Sequence, residues 1–354
     1  MDDAMVRAGL VGRVMAAARA AAASEAEQDW DAYALLSRQA ARGDGGEAAL
    51  RCGVALLESA DALEREVGCD LVGHAADEHA GLRDAAAAAL VALVEGETEA
   101  CVLVSLVRAL GRTQHPHAVP ALVRFSGHPD AEVRRQVAVN LAFTDTGLPD
   151  GPDVQALIRL TRDEEDPEVR NWAAFALGFQ LEQDTTAIRD ALWHCTSDPY
   201  GEVREEGARG LARRHDLRAV PLIAELLECE DGAYFHTFEA AEILGVPALL
   251  PALLTYEADS PGADDAVAAC DPVRRARLEA DAWAVVRELH RLRPDLGAAL
   301  SSPRYASVRT MRLTAGASTD AGYDVASLLT RADGDPARAA QLVAADLTTP
   351  HPPS

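Results

Sequence analysis

The chain has 354 residues, 49% of them hydrophobic and only 5% aromatic, and a formal net charge of −24. That length can bury a large core or build a long stack of repeats. An acidic surface repels phosphate backbones and anionic membranes, which argues against nucleic acid or lipid as the main partner and leaves a protein partner, a basic one included.

Residues 1–23 read as an Ala-rich helix, with Asp2 and Asp3 where a secretory leader would carry basic residues. Residues 28–42 read as a second helix with Trp30, Tyr33, Leu35 and Leu36 as its apolar positions, broken by the glycine-rich stretch from Gly43 to Gly46. Helices at 47–58 and 61–76 follow. The run from Leu82 through Arg83 to Leu90 has the spacing of an apolar residue, an arginine and a leucine that recurs downstream. Val102 to Leu110 keeps the apolar ends of that spacing with Leu103 in place of the arginine.

From residue 117 the spacing becomes a repeat. Glu132-Val-Arg-Arg-Gln-Val-Ala-Val-Asn-Leu141, Glu168-Val-Arg-Asn-Trp-Ala-Ala-Phe-Ala-Leu177 and Glu202-Val-Arg-Glu-Glu-Gly-Ala-Arg-Gly-Leu211 align without gaps, 36 and then 34 residues apart. Each is preceded by a polar turn, His128-Pro-Asp130, Glu165-Asp-Pro167 or Ser197-Asp-Pro199, in which Asp suits an N-cap and Pro the first helical position. The segments opening at Ala118-Val-Pro120, Val154, Ile188 and Ala219-Val-Pro221 supply the other helix of each pair. A fourth unit ending at Leu244 is weaker, with His236 and Thr237 at the Val and Arg positions. Asp271-Pro-Val-Arg274 restores the cap motif and starts a helix reaching about His290. After Arg293-Pro294 the composition turns to Ser, Gly and Thr, with short helical runs at 323–331 and 336–346 and an end from Thr348 that reads as disordered.

A period of about 35 residues holding two helices signals an all-α fold, an α-solenoid wound as a right-handed superhelix of roughly six to seven hairpins. The expected division is a solenoid over 1–292, clearest at 117–245, and a less regular C-terminal extension over 293–354. The Asp-Pro-Glu-Val-Arg…Ala…Leu pattern resembles HEAT repeats of the bacterial type named for phycocyanobilin lyase subunits, clearly over 117–245 and with diverged units over 47–292. Tyr200 and Gly201 depart from it, standing where the pattern has Asp and Pro. The resemblance implies a superhelix with a binding surface. Its members include scaffolds, adaptors, bilin lyase subunits and, in related helical-repeat form, DNA-alkylation glycosylases, whose basic groove this acidic chain lacks. The resemblance carries over no catalytic residue. The use of 33 arginines and no lysine suits a high-GC bacterial gene.

On a helical wheel started at the repeat Val, offsets 0, +4, +7 and +8 form the core face, so Val133, Leu141, Val169, Leu177, Val203 and Leu211 should be buried. The arginines at +1 (Arg134, Arg170 and Arg204) read as ties between repeats. Offsets +2, +6 and +9 point outward as Arg135, Val139 and Ala142; Asn171, Phe175 and Gly178; Glu205, Arg209 and Ala212; and Phe238, Glu242 and Gly245, with Trp172 and Glu239 at the edge. From this column Arg135, Trp172, Phe175, Arg209 and Phe238 are the expected anchors for a protein partner, because aromatic and Arg side chains carry most interface energy. Packing against the next repeat or the C-terminal segment is the other reading of Trp172 and Phe175.

His74 and Glu78 lie one helical turn apart near Asp77 and His79, yet no further cluster completes a metal shell. His115 and His117 flank a loop proline and read as solvated. The six cysteines are scattered with no Cys-x-x-Cys, as free thiols of a reducing compartment. Cys195 and His194 are adjacent on a helix and point apart. No phosphate-loop, dinucleotide, zinc-protease or serine-hydrolase motif is present. The expectation is therefore a cytoplasmic, non-catalytic scaffold or adaptor without metal or cofactor. The alternative is an enzyme or enzyme subunit of lyase type acting on a prosthetic group or small molecule. A pocket with convergent polar groups would favour the enzyme; an open wall would favour the adaptor.

Overall fold

Aspartates open the helices. In the computed structural model, which describes residues 3–24, 27–144, 146–162, 164–229, 233–256, 260–301, 310–314 and 320–347, Asp61, Asp130, Asp166 and Asp271 hold extended backbone and accept from N–H groups of the first turn that follows. The helices come in sequential pairs: α1 (Asp3–Ala22) with α2 (Glu27–Ala41), α3 (Gly46–Leu57) with α4 (Ala62–Glu78), α5 (Arg83–Leu93) with α6 (Ala100–Arg112), α7 (Val119–Phe125) with α8 (Ala131–Asn140), α9 (Pro152–Arg162) with α10 (Pro167–Phe175), and α11 (Thr186–Cys195) with α12 (Gly201–Arg213). Then come α13 (Val220–Leu227), α14 (Phe235–Leu244), α15 (Leu250–Leu253), α16 (Ala263–Cys270) and the long α17 (Pro272–Leu292). The second helices α2, α4, α6, α8 and α10 pack one upon the next, and so do the first helices α7, α9 and α11. This is the α-solenoid expected from the period.

The joints repeat as well. Gln114, His215 and Gly245 follow the ends of α6, α12 and α14 in the left-handed conformation, which closes a helix C-terminus. A short 3₁₀ turn comes next, and a proline in the first turn of α7, α13 and α15 starts the following helix without losing a hydrogen bond.

Arginines tie successive repeats together. Arg134 donates to the carbonyls of His128 and Pro129 in its own turn and grips both oxygens of Glu164, in the turn of the next repeat, at 2.6 and 2.7 Å. Arg170 does the same with the carbonyls of Glu164 and Glu165 and with Asp198 at 2.7 and 2.9 Å. Each carboxylate also accepts the backbone N–H two residues on, of Asp166 or Tyr200. The tie is thus shared by two turns and is bidentate, the strong geometry for an Arg–carboxylate pair. Tyr200 stands at the deviant cap, and its hydroxyl donates instead to Glu168 of the preceding repeat at 3.1 Å.

The six core positions Val133, Leu141, Val169, Leu177, Val203 and Leu211 are all fully buried. Two register readings need correction. Leu82–Leu90 belongs to the first helix of its pair; the arginine tie in this part of the chain is Arg65 of the preceding pair's α4, which holds Glu97, in the turn between α5 and α6, and the carbonyls of Ser59 and Ala60. At α17 the carbonyl-binding residue is Arg275, not Arg274, and Val273 is 78% exposed, because this cap lacks the Glu that precedes Val in the other repeats.

The chain divides into two compact units, Met1–Gly207 and Ala208–Ser354, so the change of character read at 293 falls inside the second. There the expected helices appear as α18 (Val325–Arg331) and α19 (Pro336–Asp346). A sheet was not foreseen. Strands β1 (Gly297–Ser301), β2 (Thr310–Thr314) and β3 (Asp320–Asp324) pair antiparallel in sequence order. Met311 and Leu313 of β2 share a core with Val285 and Leu289 of α17, Leu328 of α18 and Val343 of α19. The end from Thr348 lies outside the described residues.

Of the cysteines, Cys69, Cys195 and Cys270 are buried, whereas Cys101 and Cys229 are exposed and Cys52 lies between. Burial pushes the Cys195 thiol up to about 12 and that of Cys270 up to about 11, which makes both inert.

Candidate functional site

Helix α4 carries Glu66, Asp70 and His74 at successive turns, and α6 carries Ser105, Arg108 and Arg112 in the same way, so each helix aims one polar stripe to one side. The two helices can approach closely because residue 73 is glycine: a Cβ there would lie 2.9 Å from the Cα of Ala109. The stripes therefore meet, and α2 closes the space with Trp30, Tyr33 and Arg38. Together they line a cavity of about 500 Å³, within the size range of small-ligand sites.

Asp70 is the centre of this cavity and is only 3% exposed. Tyr33 Oη donates to its Oδ2 at 2.8 Å, and Arg108 Nη2 donates to its Oδ1 at 2.9 Å and to Ser105 Oγ at 2.9 Å. Burial and then the Asp70 charge drive the Tyr33 phenol far up, so it stays a donor. For Arg108 burial works against the charge, and Asp70 more than offsets it. Arg112 is less well served. It stands 3.8 Å from Asp70 Oδ1, its Nη1 donates to His74 Nε2 at 3.4 Å, and burial pulls its pKa down. Because Arg can only donate, His74 must accept at Nε2 and carry its hydrogen on Nδ1. That Nδ1 is buried without a partner, as is Arg108 Nε. Burial, reinforced by Arg112, holds His74 at about 3, so it is neutral across the physiological range. Glu66 moves the other way: burial, then Asp70, pushes its carboxyl up to about 7.

A second cavity of about 310 Å³ shares Arg108 and Arg112 and continues to Gln136, Val139 and Asn140 of α8 and to Phe143, which is 49% exposed. The polar surface therefore runs unbroken over α2, α4, α6 and α8 within the first unit.

The expected partner-binding column fares unevenly. Val139 lines the second cavity, and Arg135 is partly exposed but occupied by Glu132 through two hydrogen bonds. Trp172 and Phe175 are half-buried and meet edge to face at 5.7 Å. The helix then widens into a π-turn, Ala176–Gln180, which stacks Phe179 on Phe175 at 5.2 Å. Arg209 and Phe238 are not outward. Arg209 is 6% exposed and forms an interhelical pair with Glu239 at 2.8 Å. Phe238 is 3% exposed, because Tyr256 meets its ring edge-on at 4.9 Å and α16 packs on α14. The +9 positions Ala142, Gly178, Ala212 and Gly245 are buried too. In the first two repeats the regular helix ends at Asn140 and Phe175, so a 100° wheel no longer applies there.

The group around His74 does not converge on a metal: His79 Nε2 hydrogen-bonds the Ala41 carbonyl at 2.8 Å and Glu78 pairs with Arg42. Among the described residues Asp84, His115 and His117 bring their ligand atoms within 4.8 Å of one another. His115 Nδ1, however, accepts the His117 N–H at 3.3 Å. The neutral ring then carries its hydrogen on Nε2, the atom 3.7 Å from Asp84, and presents a donor there, not a metal-binding lone pair.

Sequence reasoning missed Asp70, Arg108 and Arg112. The signal was present in α6, where Arg108 and Arg112 lie one turn apart among apolar residues and burial of a charge demands a reason.

Residues 87–178 match HEAT repeats. The resemblance read from the Asp-Pro-Glu-Val-Arg segments therefore holds. Protein YibA of Escherichia coli K12 is 27% identical over 213 residues, 60% of this chain and 75% of YibA. The X-ray structure of E. coli YibA superposes with a TM-score of 0.54 at 24% identity, covering 71% of this chain and 89% of that one, a likeness of fold. The complex of CpcE and CpcF of phycocyanin lyase from Nostoc sp. PCC7120 matches at a TM-score of 0.40 and 22% identity, covering 62% and 86%. Among the described residues no helix is long and apolar enough to cross a membrane.

Proposed function

We propose that this chain is a non-catalytic HEAT-repeat adaptor that binds a protein partner along the second-helix wall of its first unit. The observation that carries the reading is the pair of cavities joined through Arg108 and Arg112 across successive helices. A solenoid turns such a column into an extended recognition surface. Trp172 and Phe175 extend the same wall and remain the aromatic anchors of the proposal, with Arg135 beside them; Arg209 and Phe238 leave it. The net charge of −24 would steer a basic partner toward the molecule, while Arg38 and Arg112 give this wall a local affinity for an acidic group. Affinity purification from the native host, followed by binding of the recovered protein to wild type and to Trp172→Ala, tests it. Equal affinity for the two would remove Trp172 from the surface.

Two observations favour the enzyme reading: polar groups of α2, α4 and α6 converge on one cavity, and Glu66, with a carboxyl near 7 beside it, is poised for proton transfer at neutral pH. The other groups suit binding better. Both Asp70 oxygens are engaged, by Tyr33 and Arg108, and His74 is too weak a base. Turnover of a small molecule that Glu66→Gln abolishes without loss of binding would establish the enzyme instead.

A further inference from the structure

We infer that the cavity between α2, α4 and α6 is a receptor for a single carboxylate group carried on an apolar body, with Arg112 and Arg38 as its cationic contacts and Trp30 as its apolar wall. The inference stands apart from the adaptor reading, since a free carboxylic acid and the C-terminus of a docked chain present the same chemistry.

The charges point to a monoanion. Asp70 and Arg108 neutralise each other at 2.9 Å. Both oxygens of Asp70 are already engaged, so Arg112, at 3.8 Å, keeps most of its charge and several unused donors. Among the described residues its one hydrogen bond goes to the neutral His74 at 3.4 Å. Arg38 lines the same cavity and forms no ion pair among the described residues. A planar guanidinium with free edges matches a carboxylate in two parallel bonds. His74 Nδ1 and Arg108 Nε are further buried donors without partners, which an acceptor-only group could satisfy. A doubly charged phosphate fits worse, because Glu66 and Asp31 also line the cavity and would oppose the second charge. The apolar part of the lining comes from Trp30, Leu35 and Val104. Trp30 is 40% exposed and held edge to face by Tyr33 at 5.9 Å, so it forms an ordered wall that is free to take up an apolar group.

The test uses the full chain, with 3-phenylpropionate, its primary amide, inorganic phosphate, and N-acetyl-Ala-Leu as the free acid and as the C-terminal amide. Binding is followed by calorimetry and by indole fluorescence, with Trp30→Phe identifying the reporting residue. The expected result is saturable binding of 3-phenylpropionate, with the amide and phosphate each weaker by roughly ten- to a hundredfold, the loss of one charged hydrogen-bond partner. Arg112→Gln should weaken the acid by a similar factor. Arg38→Gln, at an exposed residue whose loss cannot unfold the chain, should weaken it severalfold. A free-acid peptide that outbinds phenylpropionate would assign the carboxylate to a polypeptide C-terminus; the reverse order would assign it to a free metabolite. Equal binding of acid and amide, tighter binding of phosphate, or unchanged affinity in both arginine variants would overturn the inference.

Discussion

In α8 and α10 the arginine four residues after the N-cap is spent on structure: Arg134 and Arg170 lock Glu164 and Asp198 of the next turn. In α6 the same position is Leu103, and the matching acidic position of the following turn is His128, whose Nδ1 accepts the Asp130 N–H in place of a carboxylate. Both halves of the tie are gone together. The arginines of α6, Arg108 and Arg112, instead face the cavity. Three helices of one layer thus use the same residue type for opposite ends. Where the repeat pattern is strongest, charge holds repeats together; where it decays, charge is left over for a ligand.

Breaking the packed side of this comparison should have the largest effect. Leu177→Ala removes a fully buried side chain and should cost roughly 2–5 kcal/mol in a urea melt; a loss below about 0.5 kcal/mol would place Leu177 outside the core. Next comes the tie. Glu164→Ala strands the mostly buried Arg134 and should cost about 3 kcal/mol, while leaving carboxylate binding at the cavity unchanged. A double-mutant cycle sharpens the point. Leu103→Arg alone should destabilise by burying an unpaired charge, and adding His128→Glu should recover about 1 kcal/mol of coupling. Additive losses would mean that α6 and the following turn no longer have the tie geometry.

The cavity side is read by pH. Glu66 titrates at about 7 in the fold against an ordinary 4.5. Between these values the native state holds a proton that the unfolded chain has lost. Its contribution is therefore full below about 4.5 and is lost as pH rises through about 7. His74, at about 3 against 6.5, works oppositely: its contribution is present above about 6.5 and is lost as pH falls toward 3. The groups facing Glu66 are Asp31, Tyr33 and Arg38 from α2, Asp70 and His74 from its own helix, and Cys101, Arg108 and Arg112 from α6. Comparing wild type with Glu66→Gln between pH 4.5 and 8 should show the wild type losing relative stability as pH rises; a difference independent of pH would contradict the buried carboxyl. The smallest expected change in stability is at the aromatic end. Phe175→Ala should barely move Tm, yet weaken a protein partner by roughly 1–3 kcal/mol.

The contrast also explains what could be read in the sequence. The Glu-Val-Arg signature recurs every 35 residues or so, which is why α8, α10 and α12 and their buried Val and Leu positions were legible, although Arg204 Nε of α12 is buried without the hydrogen-bond partner that Arg134 and Arg170 have. The cavity arises where side chains of α2, α4 and α6, about one repeat apart, meet off the repeat signature, and Gly73 sets the approach of α4 to α6, so the Glu-Val-Arg spacing does not announce it. Arg209 and Phe238 misled because the wheel tells which residues share a face but not what covers that face; in α14 every residue from Thr237 to Leu244 is buried. The sheet had one local sign, the alternation in Thr310-Met-Arg-Leu-Thr314, masked by the Ser, Gly and Thr around it.

The most direct test of the account measures a recovered partner's affinity for wild type, Arg112→Gln and Phe175→Ala, with Glu164→Ala as the variant altered only at a structural tie. The account predicts that Arg112→Gln and Phe175→Ala each lose roughly tenfold or more in affinity at unchanged Tm, and that Glu164→Ala loses stability while its folded form binds normally. Full affinity in both wall variants would contradict it and move recognition off the second-helix wall.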